Sequence, residues 1–443
     1  MSVLHGLVLL ARPVQFLIFF FSGFLPRNPE LWVFGAWGGN LMSGNSAAVF
    51  KYANNHPGAR VRTVWISSSS ELRKHLRSEG KAAFHPWSPQ GVLACLRAGV
   101  YVYDTCGKDV NYWLSRKARN VLLRHGTGIK NIGRAINNPK HHLSRLYRGN
   151  LLERSLLRFL LPWHVTTYDL VIASSTQHAV QASEFFFVAK KNIVITGSPR
   201  NDILFGSMNS SARDPAAHWM RTCRESGRLV CLYMPTFRDN RTPVFPASWS
   251  KLDEICARQG VSVLIRLHPV DRSSSAVEGI TQSRHLRLHD AREDPVLLFS
   301  DADCMITDYS SVVYDYMMLK NPVIFFQHDK AAFIANSRDF YFDLENVSPG
   351  PRPRDLDDLE AALRDLSAGR LAECPSGKRY QDTLARFHHF LDGGSSERVW
   401  TEMVQRYCPL GITETLSTIS RSRVASRSLA HVLSTPSVQR KPN

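Results

Sequence analysis

The chain has 443 residues, 44% hydrophobic and 21% charged, with a formal net charge of +17. That length accommodates two domains with full cores, and the composition excludes a disordered or low-complexity protein. The excess of 55 basic over 38 acidic side chains points to an anionic partner: nucleic acid, acidic lipid or a phosphate-bearing substrate.

The N-terminal run "VLHGLVLLARPVQFLIFFFSGFLP" is apolar but interrupted at Arg12-Pro13, and each part falls short of the roughly 20 residues that a membrane span needs. No basic region precedes it and no small-residue cleavage site follows, so it does not read as a signal peptide. We read residues 1–27 as an apolar membrane-associating segment, interfacial or shallowly re-entrant, with a helix packed on the body as the alternative.

After Pro26 the pattern alternates. "LWVFGAWGGN" is a buried strand ending in a glycine turn, and "SAAVFKYANNH" a helix. "RVRTVWISSS", "AGVYVYDT", "RNVLLRHGTG" and "YDLVIASS" are further strands, with "SELRKHLRSEG" and "TQHAVQASEFF" as helices. The second half repeats the scheme in "RLVCLYMPTFRDN", "VSVLIRLHPVD", "ADCMITDYSS" and "NPVIFFQHD", each a strand followed by a polar loop. Short apolar runs alternating with helical patterns predict parallel strands with crossover helices. The fold class is α/β: two doubly wound Rossmann-like domains facing a cleft, 28–195 and 196–410, with the break near Val194–Asn209. Beyond Gly411 the chain is rich in Ser, Thr and Arg, and 411–443 reads as a mobile basic tail.

The eight cysteines are scattered and form no C-x-x-C pair, which argues against a zinc or redox motif and for small buried hydrophobes in a reducing compartment. Between Ser115 and Asn150 lie nine Lys/Arg and no Asp or Glu, yet Tyr147 is the only aromatic side chain there. Base stacking therefore has little support, and no nucleic-acid partner is expected. Asp301 and Asp303 have the D-x-D spacing of metal-binding transferases but precede a strand, at the end away from a ligand crevice, so no metal is expected there. Neither a P-loop lysine motif nor G-x-G-x-x-G after the first strand is present.

Four strand-end loops carry chemistry. "RHGTG" offers His125 as a proton acceptor beside backbone donors from Gly126 through Thr127 and Gly128 to Ile129, if the loop opens on a helix. "GSPRND" offers Arg200 in a proline turn, and "RLHP" offers Arg266 and His268. "TDYSSVVYD" places Ser310 and Ser311 at a helix start and Asp315 one turn in. A diphosphate fits such a start with charge-assisted bonds from the two arginines.

"RHGTGIKNIG", "TGSPRNDIL", "YMPTFRD", "IRLHP" and "ADCMITDYSSVVYDYMMLKNPVIFF", in that order, resemble the CDP-glycerol glycerophosphotransferase family of teichoic-acid and capsule polymer enzymes, and "LWVFGAWGGNLMSGN" is similar to that family's first strand and loop. The resemblance covers about Leu31 to Asp343. It implies a glycosyltransferase-B-like fold, peripheral attachment at the cytoplasmic face of the cell membrane, and no metal or other cofactor. It also implies a CDP-glycerol or CDP-ribitol donor and a lipid-linked or glycan acceptor. His125 matches the family's proposed base and His268 its second essential histidine. The matching donor contacts are His125 to Ile129, Arg200, Pro235, Thr236, Arg266, Leu267, His268, Ser310, Ser311 and Asp315. Gly128 stands where the family usually has proline, and Ser198 where it usually has an aromatic residue. The rival readings are a glycosyltransferase of the same fold using a nucleotide sugar, and a non-catalytic protein binding an anionic polymer or nucleic acid.

Overall fold

The computed structural model describes residues 3–56, 60–126, 128–139, 141, 143–206, 214–238, 243–267, 279–280, 283–289, 294–336, 339–371 and 374–408. Thr127, His268 and the segment 411–443 lie outside the described residues. The chain forms two compact units. One comprises Met1–Gly126, Ile132–Asp202 and the segment that begins at Asp392; the other comprises Ile203–Leu391 and a short stretch ending at Asn131.

In the first unit seven parallel strands are ordered β3-β2-β1-β4-β5-β6-β7. They are β1 (Asn28–Gly35), β2 (Arg62–Ile66), β3 (Ala83–Phe84), β4 (Ala98–Tyr103), β5 (Arg119–Leu122), β6 (Leu170–Ala173) and β7 (Ile193–Ile195). Val33 pairs with Val64 on one side and Tyr101 on the other. Successive side chains of a strand point to opposite faces, and both faces are covered here. Trp32, Phe34, Val100 and Val102 pack with Val49 and Phe50 of the helix Gly44–Asn55 and with Val399 and Trp400 of the helix Ser395–Tyr407. Val33, Tyr101 and Tyr103 pack with Ala94 and Cys95 of Pro89–Arg97 and with Ala179 and Ala182 of Thr176–Phe185.

The second unit has five parallel strands ordered β10-β9-β8-β11-β12. These are β8 (Leu229–Met234), β9 (Val261–Ile265), β10 (Leu286–Leu288), β11 (Cys304–Thr307) and β12 (Val323–Phe325). Val230, Leu232 and Met305 face one core; Cys231, Tyr233, Val263 and Ile306 face the other. In both sheets the order reverses beside the first strand, between β1 and β4 and between β8 and β11. Such a reversal leaves a crevice at the strands' carboxyl ends, where ligands of doubly wound sheets bind.

Several expectations change. The division between the units falls after Asp202, within the expected Val194–Asn209 stretch, but the chain returns to the first unit at Asp392, so 196–410 is not one block. The return is driven by burial of Val399, Trp400, Met403 and Val404 against the first sheet. Arg12-Pro13 does not split the N-terminal segment: Val3–Ser22 is one helix with Pro13 inside. Arg12 steadies the proline turn by donating to Gln15 Oε1 at 2.7 Å and lying over the rings of Trp113 and Trp163 at 5.2 and 5.0 Å. Among the described residues no helix is long and apolar enough to cross a membrane. Asp301 and Asp303 pair with Arg221 at 3.3 Å and Arg224 at 3.1 Å. All eight cysteines are free thiols, five of them buried.

Candidate functional site

In the first unit the strand-end loops are shaped by residues that tolerate or force unusual backbone. After β1 the chain turns through Trp37, Gly38 and Gly39 at φ 51°, 65° and 80°. The next helix begins at Gly44, φ +82°, where a Cβ would lie 2.3 Å from Asp104 Oδ2. Glycine there lets a buried carboxyl group approach the helix start. Ser46 donates its N–H at 2.9 Å and its hydroxyl at 2.7 Å to Asp104 Oδ1. Burial pushes the Asp104 carboxyl well above its ordinary range; Ser46 and the charge of Arg200 oppose that rise, and Asp109 adds to it. Asp109 accepts from the Gly38 N–H at 2.8 Å and the Thr105 hydroxyl at 2.7 Å, so it holds the β1 turn against the β4 exit.

Arg124, φ +60°, directs the chain out of β5. Its buried guanidinium lies over the rings of Phe185 and Phe186 at 6.0 and 5.5 Å, and burial lowers its pKa to about 9. A non-glycine residue at positive φ is strained, and such strain concentrates at functional sites. Asn45 then fixes the assembly with one buried amide. Its Nδ2 donates to the carbonyls of Leu123 at 2.8 Å and Arg124 at 2.7 Å, and its Oδ1 accepts from the Arg200 N–H at 3.0 Å. The Arg200 guanidinium reaches the same loop, since a Cβ on Gly126 would lie 3.0 Å from its Nη2. His125 is exposed, with its ring centroid 5.6 Å from that of Trp37.

In the second unit a buried ion cluster ties three strand ends together. Arg238, after β8, donates to Asp308 Oδ2 at 2.8 Å and to Asp329 at 2.6 and 3.0 Å. Burial works against its charge, but Asp308 and Asp329 hold its pKa above the ordinary value. Burial likewise raises Asp329, yet Arg238 keeps its carboxyl below the usual range. Tyr309 donates to Asp329 at 3.0 Å, and the Thr236 N–H to Asp308 at 2.9 Å. Removing one member of such a cluster leaves an uncompensated buried charge, a loss of about 3–5 kcal/mol. Pro235, Thr236 and the Ser310–Ser311 segment therefore rest on a rigid base. Arg266, after β9, donates its backbone N–H to Tyr233 O at 2.9 Å, and its guanidinium meets His289 Nδ1 at 3.0 Å.

His125, Gly126 and Arg200 thus come together in the first unit around Asn45, and Thr236, Ser310 and Arg266 stand at neighbouring strand ends of the second. Three details differ from the sequence reading. The His125 loop does not open on a helix: Ile129 is buried in the second unit's core, its carbonyl accepts from Tyr341 N–H at 2.8 Å, and Lys130 forms an antiparallel bridge to Phe340. Ser311 starts the short helix Val312–Tyr316 but makes no side-chain cap bond, because its backbone is already helical at φ −72° and ψ −9°. Asp315 and Leu267 point inward and are buried. Asn45, Asp104, Arg238, Asp308, Asp329, Asp214 and His289 were not singled out from sequence. Asn45 closes the motif "LWVFGAWGGNLMSGN", and Arg238 ends neither strand nor helix in "YMPTFRD"; motif membership was the available signal. Among the described residues no three His, Cys, Asp or Glu are grouped to hold a metal ion.

The solved structure of the wall teichoic acid polymerase TagF has the same fold, with a TM-score of 0.65 and 19% identity, covering 87% of this chain and 90% of that one. The teichoic acid ribitol-phosphate polymerase TarK of Staphylococcus aureus is 28% identical over 246 residues, 54% of this chain and 46% of that protein. The teichoic acid poly(glycerol phosphate) polymerase of Bacillus subtilis is 25% identical over 404 residues, 86% of this chain and 50% of that one. The chain spans about half the length of these two relatives. The teichoic acid glycerol-phosphate transferase of Staphylococcus aureus is 25% identical over 391 residues, and there the match covers 92% of the relative. A family model described as CDP-Glycerol:Poly(glycerophosphate) glycerophosphotransferase matches residues 17–405, and the chain belongs to that family.

Proposed function

We propose that this chain transfers glycerol phosphate, or a related polyol phosphate such as ribitol phosphate, from a CDP-linked donor to an acceptor hydroxyl in cell-envelope polymer synthesis. The acceptor oxygen attacks the phosphorus that bears the polyol while His125 takes the hydroxyl proton. The bond from that phosphorus to the bridging oxygen breaks, and CMP leaves with the electron pair. General-base assistance of this kind contributes about 10²–10⁴-fold. Arg200, Arg266, His268, Ser310 and Ser311 are assigned to the diphosphate, where fixed donors steady the charge that builds on the leaving group. The remaining donor contacts assigned are the backbone from Gly126 to Ile129, Pro235 and Thr236; Leu267 and Asp315, being buried, support their loops from within instead of meeting the donor. Neutralisation by arginines removes the need for a divalent cation. A glycosyltransferase-B-like architecture is part of this reading, supported by the two doubly wound sheets.

The acceptor is assigned as a lipid-linked primer or glycan, met at the cytoplasmic face of an anionic membrane. Support comes from exposed apolar side chains in the first unit: Leu17, Phe21 and Phe24 near the N-terminus, and Leu151, Leu152 and Leu156 on the helix Leu151–Leu160. Arg116 lies over the Phe20 ring at 4.7 Å and Lys117 over Phe24 at 6.0 Å, an arrangement suited to acidic headgroups.

The observation that carries the reading is His125, exposed at the end of β5 on a backbone fixed by Asn45 and Arg124, in a chain of this family. Purified protein incubated with CDP-glycerol and acceptor, followed by product mass and calorimetric titration of the donor, tests it. His125→Ala should lower kcat by about 10²-fold or more with donor affinity nearly intact. His268→Ala should weaken donor binding as well, and turnover should survive EDTA. Wild-type turnover in His125→Ala would remove the catalytic assignment.

A further inference from the structure

The second unit holds a histidine that belongs to no motif yet lies against a proposed donor ligand. His289, just beyond β10, is 4% exposed. Its Nδ1 is 3.0 Å from Arg266 Nη1, and its Nε2 is 3.1 Å from Asp214 Oδ2. A guanidinium has N–H donors and no acceptor, so Nδ1 must accept. The ring is then neutral with its proton on Nε2, which donates to Asp214. Asp214 is held in turn: its Oδ1 accepts from the Ala216 N–H at 2.7 Å, capping the helix Pro215–Glu225. His289 is also fixed by its backbone, whose N–H donates to Ile265 O at 2.8 Å. The result is an aligned chain from a helix N-terminus through Asp214 and His289 to the guanidinium of Arg266.

We propose that Asp214 and His289 are positioning residues for Arg266, setting the plane of its guanidinium for the donor diphosphate. The inference rests on the reading of Arg266 as a diphosphate ligand. A free arginine side chain samples many rotamers, and paired recognition of phosphate oxygens depends on the fork lying in one plane. Anchoring Nη1 on a buried imidazole supplies that plane, and the carboxylate behind the imidazole fixes its tautomer. Neither residue needs to touch the donor.

The test is a double-mutant cycle read by calorimetric titration of CDP-glycerol and by steady-state kinetics on the full chain. Arg266→Ala should weaken donor binding by about 10- to 100-fold, the loss of charge-assisted bonds. His289→Ala should raise the donor Kd and KM by about five- to tenfold and lower kcat too, by much less than His125→Ala does, because a displaced Arg266 holds both the donor and the leaving-group charge less well while the base is untouched. In the Arg266→Ala background, His289→Ala should add nothing. His289→Asn, whose carbonyl can stand where Nδ1 stands, should recover most of the affinity. Asp214→Asn carries the same cycle should His289→Ala not fold. Wild-type affinity in His289→Ala, or an equal further loss in the Arg266→Ala background, would overturn the positioning role while leaving Arg266 as a ligand. Unchanged affinity in Arg266→Ala would instead remove the donor reading of that arginine, and the inference with it.

Discussion

Asp104 shows how a single buried group couples the first unit's site to pH. Burial raises its carboxyl well above the ordinary 3.8, with Ser46 opposing and Asp109 reinforcing the shift. The folded protein therefore keeps a proton that the unfolded chain releases. The stability this gives is complete below about pH 4 and is lost as pH climbs toward the raised value, by about 1.4 kcal/mol per unit within that window. Asp104→Asn removes the titration, so in thermal melts taken upward from about pH 4 the wild type should lose ground against the variant until the raised value is passed. A gap that does not change with pH would contradict this assignment. The same neighbourhood shows which part of the site was legible in sequence. His125 and Arg200 stand out because ionisable side chains at strand ends are chemically conspicuous. Asn45 and Ser46 do not, since the carbonyl of Leu123 and the carboxyl of Asp104 that they bind lie 78 and 58 positions away. A short polar side chain declares its role only when the fold supplies its partner.

Strands were legible wherever four or more apolar residues gave a run between polar loops, as in β1, β4, β8 and β9. β3, with two residues, and β7 and β10, with three each, are too short for any period to register. The helix Ser395–Tyr407 illustrates a different gap, because its pattern marks a buried face without naming the sheet that buries it. Its N-terminus has no side-chain cap of its own. Asp202 supplies one from afar, accepting from the N–H groups of Ser395 at 2.9 Å and Ser396 at 2.6 Å. A carboxylate on a helix N-terminus both satisfies orphan donors and complements the dipole. Asp202→Ala should therefore lower stability by about 1–2 kcal/mol. A drop in melting temperature of about 3–6 °C would register it, and an unaltered melt would mean that water replaces the cap fully.

At the scale of the whole molecule, the proposed membrane contact would draw on both the +17 charge and the exposed phenylalanines near the N-terminus. Cosedimentation with vesicles containing phosphatidylglycerol should be strong at low salt, weaken as salt shortens the screening length, and fall in a Phe21→Ser, Phe24→Ser double variant. Equal binding to uncharged vesicles at all salt concentrations would deny the basic side chains a part. The chain's path carries a consequence for its biosynthesis. The second unit's strands are all made before Ser395–Tyr407, the helix that closes the first sheet's Trp32 face. A nascent chain thus holds an unfinished first core while the intervening unit folds, with Trp32 still lacking the Trp400 ring that will settle 5.0 Å from it. Exposed apolar surface of that kind is what chaperones recognise, and the interval during which it persists is set by the time the ribosome takes to read through the intervening unit.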